Sequence, residues 1–201
     1  FVLILSTALW VLKTEGGTRF LLHKAPEVLA AYLNQTLEVE HTQGALWDGV
    51  VLQRLSWTDG KTKVSARRVE LQVKLDGLLR SHLDVQRLHV DQLDVVLPPP
   101  DPNDPPFKMP DAIPLPVRID LVSLQIKQLN VDALRFDGVQ GQASAKTGML
   151  DIEELKVHTE GADLALVGQL KLAQPYEIDA VLTAKRRFDS LDLDGSVRAL
   201  G

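Results

Sequence analysis

Apolar residues recur along this chain with three different periods, and each period predicts a different kind of element. Residues 1–12, Phe-Val-Leu-Ile-Leu-Ser-Thr-Ala-Leu-Trp-Val-Leu, form an unbroken uncharged run. From Thr18 the spacing becomes helical, with Leu21, Ala25, Val28, Leu29 and Tyr32 on one stripe. Thr18 suits an N-cap and Pro26 a first helical turn, so residues 13–35 read as two short helices ending at Asn34. Beyond residue 36 the period falls to two. Leu37-Glu38-Val39-Glu40 alternates, and Val50 to Trp57 follows the turn at Gly44 to Gly49. Val69, Leu71, Val73 and Leu75 then alternate with Glu70, Gln72, Lys74 and Asp76, the pattern of a strand with one wet and one apolar face. Asp59-Gly60 and Asp76-Gly77 mark turns.

Residues 98–116 hold nine of the chain's eleven prolines. Such a segment cannot donate along a sheet ladder, so it separates a first β region, 36–97, from a second, 117–201. Both regions carry a five-residue step. Leu83-Asp84-Val85, Leu88-His89-Val90 and Leu93-Asp94-Val95 precede the linker; Leu124-Gln125-Ile126, Leu129-Asn130-Val131 and Leu134-Arg135-Phe136 follow it. An odd step reverses the facing of a continuous strand, so each unit needs a bulge or corner to bring its apolar pair back to one side. A pentapeptide β-helix is one solution, with too few units here to stand alone. A strongly curved sheet of bulged strands is the other, and the plain alternation around the units favours it.

Composition narrows the function. The chain is 45% apolar and 24% charged with aromatics at 5%, a folded composition dominated by aliphatic residues. A net charge of −5 without a long basic run argues against tracking a nucleic-acid backbone. The absence of cysteine removes disulfides, thiolate nucleophiles and thiolate metal sites. His23, His41, His82, His89 and His158 show no HxH or HExxH spacing, and on an unbroken strand His82 and His89 would face opposite ways. Asp101, Asn103 and Asp104 sit among prolines that forbid a tight calcium loop. Asp189, Asp192 and Asp194 fit strand alternation with Leu191 and Leu193. Arg67-Arg68 and Lys185-Arg186-Arg187 read as solvated strand ends, with anionic headgroups as the other reading. No catalytic constellation emerges, so neither an enzyme nor a cofactor is expected.

The apolar run at 1–12 reads as the remainder of a membrane anchor. Twelve helical residues reach roughly 18 Å against a hydrocarbon core of about 30 Å. The chain starts at Phe1 rather than Met, which suggests an upstream part. The anchor residues would be Phe1, Val2, Leu3, Ile4, Leu5, Leu9, Trp10, Val11 and Leu12, with Trp10 suited to an interface. A buried helix or a signal-peptide core is the alternative, although Lys13 to Gly17 makes a poor cleavage site.

The order of anchor, short helices, Leu37-Glu38-Val39, Gly44 to Trp57 and Leu-x-Val units running to Val95-Val96-Leu97-Pro98 resembles the amino-terminal part of the TamB family, within the AsmA-like superfamily. Leu115-Pro116-Val117-Arg118-Ile119-Asp120 and Gly138-Val139-Gln140-Gly141 extend the resemblance beyond the linker. It implies a Gram-negative inner-membrane protein with a single anchor and a periplasmic, taco-shaped β body whose apolar groove carries phospholipid to the outer membrane. It also implies a TamA-like β-barrel partner in the outer membrane and a link to outer-membrane protein assembly and protein secretion.

The fold expected is therefore mainly β: a curved, open, taco-like sheet with short amino-terminal helices and a truncated transmembrane anchor. An apolar sheet face needs a cover, and about sixteen helical residues are too few to supply one. Acyl chains would lie against Leu71, Val73, Leu75, Leu83, Val85, Leu88, Val90, Leu93, Val95, Leu124, Ile126, Leu129, Val131, Leu134 and Phe136. Packing inside a closed sandwich or barrel is the plain alternative for the same residues. Leu191 to Val197 still reads as strand near the end of the chain, so more sheet is expected to follow. The rival function is a scaffold that pairs its strand edge with a client β-barrel strand.

Overall fold

The computed structural model describes residues 14–17, 36–45, 48–99, 115, 117–173, 176–188 and 191–200. Among these residues, eleven strands form one sheet: β1 Thr36–Ala45, β2 Gly49–Thr58, β3 Lys63–Lys74, β4 His82–Val96, β5 Arg118–Val131, β6 Leu134–Phe136, β7 Gly138–Lys146, β8 Met149–Thr159, β9 Ala162–Lys171, β10 Ile178–Phe188 and β11 Leu191–Leu200. Their order is β1-β2-β3-β4-β5-β7-β8-β9-β10-β11, with β6 also on β5. The protein is thus mainly β, and the sheet is open, since its first and last strands do not pair with each other. The helical content among the described residues is one turn at 15–17 and a 3-10 turn at Leu78–Arg80. No described helix is long and apolar enough to cross a membrane. The anchor expected at 1–12 and the helical stripe from 18 to 35 lie outside the described residues.

Short turns explain why most neighbours in sequence are neighbours in the sheet. Between β2 and β3, Asp59 Oδ1 accepts from the backbone N–H groups of Lys61 at 2.9 Å and Thr62 at 2.7 Å, a side-chain-closed turn. At the β1–β2 turn Gly44 takes a φ of +88°, and a Cβ there would run into the carbonyl of Gly49.

One junction breaks the antiparallel rule. Strands β4 and β5 pair in parallel, residue n opposite n+36, so Leu83 meets Ile119, Leu88 meets Leu124, Leu93 meets Leu129 and Val95 meets Val131. The repeat units on the two sides of the proline-rich linker therefore lie against one another, unit on unit. Backbone hydrogen bonds from Arg118 N to Ser81 O and from Asp132 N to Val95 O close the two ends of this seam.

The five-residue step is resolved by two lines along which the ladder is interrupted. On the first, pairing skips His41, Gln53, Arg68, Asp91 and Lys127, one on each of β1 to β5. Their neighbours Glu40, Arg54, Arg67, Gln92 and Gln128 remain paired in a continuous row. The gap between β6 and β7 at Asp137 falls at the same level, because Leu129 pairs with Phe136 and Ile126 with Val139. The second line passes Gln86-Arg87, Val122-Ser123 and Glu153-Glu154, where the registers of β3–β4, β5–β7, β7–β8 and β8–β9 all shift. At each break two successive residues leave the apolar face, which restores the parity that an odd step would lose.

With parity restored, apolar side chains line up across the strands. Leu52, Val69, Val90, Ile126, Val139 and Val157 form one row, and Val50, Leu71, Leu88, Leu124 and Leu155 a second. Val39, Leu55, Ala66, Leu93 and Leu129 form a third, on the far side of the first line of breaks. These three rows contain every member of the hydrophobic cluster. Gly141 occupies its place in the second row because the bulged Glu154 carbonyl and Leu155 leave no room for a Cβ.

Val50 is the most deeply buried of these side chains, 1% exposed. Removing two of its methyl groups leaves a void that the sheet cannot readily close. Val50→Ala is therefore expected to lower the urea unfolding free energy by about 1–3 kcal/mol with an unchanged denaturant slope.

Candidate functional site

The candidate site is the apolar face itself. The first two rows run from β1 to β10 through Thr42 to Ala184 and Gly44 to Leu182 without meeting a charged residue. Eight strand spacings of about 4.8 Å give this strip a length of roughly 38 Å. Among the described elements, extensive contact is confined to sheet neighbours, to β6 against β8 and to the 3-10 turn against β4. The side chains are well covered around β2 to β7, where Val50, Leu52, Val69, Val90, Ile126 and Val139 are buried. On β10 the same strip is open, with Leu182 41% exposed.

The lining residues expected from sequence distribute as follows. Leu71, Leu88, Val90, Leu93, Leu124, Ile126 and Leu129 belong to the hydrophobic cluster. Val73 and Val85 face each other across β3 and β4, while Leu83 sits opposite Ile119. Val95 and Val131 pair at the far end of the seam, and Phe136 lies opposite Leu129. Leu75 is buried just beyond β3, where its carbonyl accepts from Leu78 N. Leu134 opposes Val131 but is 62% exposed at the sheet's rim, and it contributes little cover there. The anchor residues from Phe1 to Leu12 lie outside the described residues.

Sequence reasoning missed the part of the face built by β1, β2, β7 and β8: Val39, Val50, Leu52, Leu55, Val139, Leu155 and Val157. The signal was present. Val50, Leu52, Leu55 and Trp57 repeat the same two-then-three spacing as the Leu-x-Val units, with Gln53-Arg54 as the outward pair.

Polar residues line the opposite face of the parallel seam. Asp84 lies directly across from Asp120, a like-charge pair that needs a cation. His82 Nε2 supplies a bridge, 3.0 Å from Asp84 Oδ1 and 2.7 Å from Asp120 Oδ2, and Arg118 Nε donates to Asp120 Oδ1 at 2.9 Å. The three donor groups lie within metal-ligating reach of one another, but these contacts already engage them with each other and with Arg118, so the cluster serves as a clamp. Further along, Asp94 accepts from Asn130 Nδ2 at 2.5 Å and from Gln92 Nε2 at 2.9 Å, while Gln128 Nε2 donates to Asn130. His89 Nε2 lies 3.4 Å from Ser123 Oγ. The break at Gln86-Arg87 thus places His82 and His89 on one polar face, where an unbroken strand would have separated them.

These contacts shift the two carboxyls. Hydrogen bonds from Asn130 and then Gln92 hold Asp94 below the usual carboxylate range, outweighing its partial burial, with Arg67 adding a favourable charge. For Asp120 burial is the largest single influence and pushes upward, but the hydrogen bonds and charges of Arg118 and His82 together overcome it. Both groups therefore bind protons less readily folded than unfolded. Their stabilisation is complete above the unfolded carboxylate value of about 3.9 and is lost as pH falls through the lower folded values. Urea midpoints measured from pH 7 down to pH 3 are expected to drop at the acid end, and the Asp94→Asn, Asp120→Asn double variant to show a shallower drop.

No curated protein and no solved structure matches the chain. The profile described as TamB, N-terminal domain, matches residues 3–140, a span that takes in strands β1 to β6, both halves of the parallel seam and the start of β7. The chain accordingly belongs to the TamB N-terminal domain family.

Proposed function

We propose that the creased sheet is an open groove that holds lipid acyl chains, and that the protein is a non-enzymatic, membrane-anchored conduit for phospholipid between the inner and outer membranes of a Gram-negative cell. The observation that carries this reading is the uncharged strip crossing from β1 to β10 on a sheet that does not close on itself. At both lines of breaks the extra backbone lies on the polar side, and a sheet lengthened on one side curls toward the other. The apolar face then becomes the concave floor. Membership of the TamB N-terminal family supports the periplasmic setting, the anchor at residues 1–12 and a TamA-like outer-membrane partner.

Movement along such a floor follows from its uniformity. Each methylene held against it gains about 0.8 kcal/mol relative to water, and gains nearly the same one row further on. Displacement along the strip therefore exchanges equivalent contacts, while the charged headgroup stays in water at the rim. A tight polar site would arrest the lipid, and none of the groups in the two central rows could provide one.

Native mass spectrometry with lipid extraction tests this on the 201-residue chain. The wild-type protein is expected to co-purify with phospholipid. Leu88→Arg and Val131→Asp, checked for folding by circular dichroism, are expected to reduce that occupancy at least about tenfold, the equivalent of roughly 1.4 kcal/mol. A folded wild-type chain free of lipid would overturn the conduit and favour a scaffold that pairs strand edges with a client barrel.

A further inference from the structure

Among the described residues, four other than glycine have positive φ: His41 at 49°, Arg68 at 47°, Ser81 at 55° and Asp132 at 50°. Ser81 and Asp132 sit in turns at the two ends of the parallel seam, where a tight reversal accounts for them. His41 and Arg68 lie in the middle of β1 and β3. Both fall on the first line of breaks, at the positions the ladder skips. Left-handed backbone inside a strand is uncommon for any side chain with a Cβ, and least so for histidine among these two.

The charges around this line are not what holds it. Arg68 lies 3.9 Å from Asp91 and 3.4 Å from Glu70, Lys127 lies 2.7 Å from Asp91, and Arg54 lies 3.5 Å from Glu40. The Arg68, Lys127 and Arg54 side chains are more than half exposed, so each pair is weak and screened. Arg54 and Arg67 even stand directly opposite each other. The backbone conformation on alternate strands is the feature that remains.

We propose that the left-handed residues His41 and Arg68 are the positioning residues of the groove: by bending β1 and β3 at one level they set the angle between the floor and its wall. The inference rests on the groove reading above and names what fixes the groove's width. Beyond this line lies the wall row of Val39, Leu55, Ala66, Leu93 and Leu129. Straightening β1 and β3 would swing that row away from the floor without altering one apolar side chain.

The chain has no cysteine, so Lys63→Cys and Lys74→Cys place spin labels at the two ends of β3 without background. A straight strand of this length would separate them by roughly 36 Å. In the wild-type background a shorter distance is expected. The His41→Ile, Arg68→Ile variant, whose β-branched side chains resist positive φ, is expected to lengthen it by several ångströms and to retain at least two-fold less phospholipid. The His41→Gly, Arg68→Gly variant accepts the left-handed geometry and is expected to keep both the wild-type distance and the lipid.

A folded isoleucine variant with the wild-type distance would overturn the proposal, as would a glycine variant that lengthens. Should the isoleucine variant fail to fold, the glycine variant decides by its urea midpoint. Glycine at a left-handed position leaves the midpoint at or above the wild-type value, whereas a fall typical of glycine inside an ordinary strand would sink the idea. The label distance is read without lipid, so a wild-type chain lacking phospholipid removes the conduit reading and leaves the bend still decided.

Discussion

Side chains on a strand alternate, and every unusual feature of this sheet follows from keeping one face apolar against that rule. A Leu-x-Val unit supplies two residues on one side, and repeating it every five residues would send the next unit to the other side. The chain meets this by letting two consecutive residues leave the face at each repeat: Gln86-Arg87 and Asp91-Gln92 on β4, Val122-Ser123 and Lys127-Gln128 on β5. Adjacent strands must break at the same level or lose register. On the first line five strands do so, and the pairing offsets on either side are unchanged. The second line is staggered instead, with bulged strands against regular ones, and there the registers shift.

The parallel seam extends the same logic. Parallel partners cannot arise from a hairpin, so register between β4 and β5 has no turn to fix it. Matching five-residue units supplies the register instead, because a slip by anything other than a whole unit sets apolar pairs against outward pairs. The polar face adds a second constraint. Asp84 stands against Asp120 and Asp94 against Asn130, and the two contacts that cross the seam, His82 Nε2 with Asp120 Oδ2 and Asn130 Nδ2 with Asp94 Oδ1, depend on the observed alignment.

Much of this was legible beforehand, and the omissions have identifiable causes. Alternation marked the strands, the odd step demanded bulges, and the apolar members of the repeat units do share a face. The contribution of β1 was obscured because Thr42 and Gly44 occupy places where a larger apolar residue would have completed the pattern, and Ala66 does the same on β3. Partner choice was not legible at all. A five-residue period shows which way side chains point but not that the block after the linker lies on the block before it, since that contact spans 36 residues. That His82 and His89 share a face failed to emerge for the same reason that the sheet holds together: parity counted along the sequence is valid only up to the next break.

An open apolar face is a liability in water, and this sheet limits it unevenly. Around β2 to β7 the rows shield one another and the side chains are buried, whereas on β10 the strip is exposed at Leu182; Val167 and Val181, paired with each other, are exposed on the opposite face. The surface ion pairs of the wet face contribute too little to offset such exposure. On the conduit reading proposed above, occupation by acyl chains is what keeps the strip apolar, because a sheet selected for solubility alone would accept a polar residue in place of Leu166 or Leu182 with little loss of packing. The persistence of an uncharged floor where burial no longer demands it is the strongest physical reason to regard the face as a site rather than as a core.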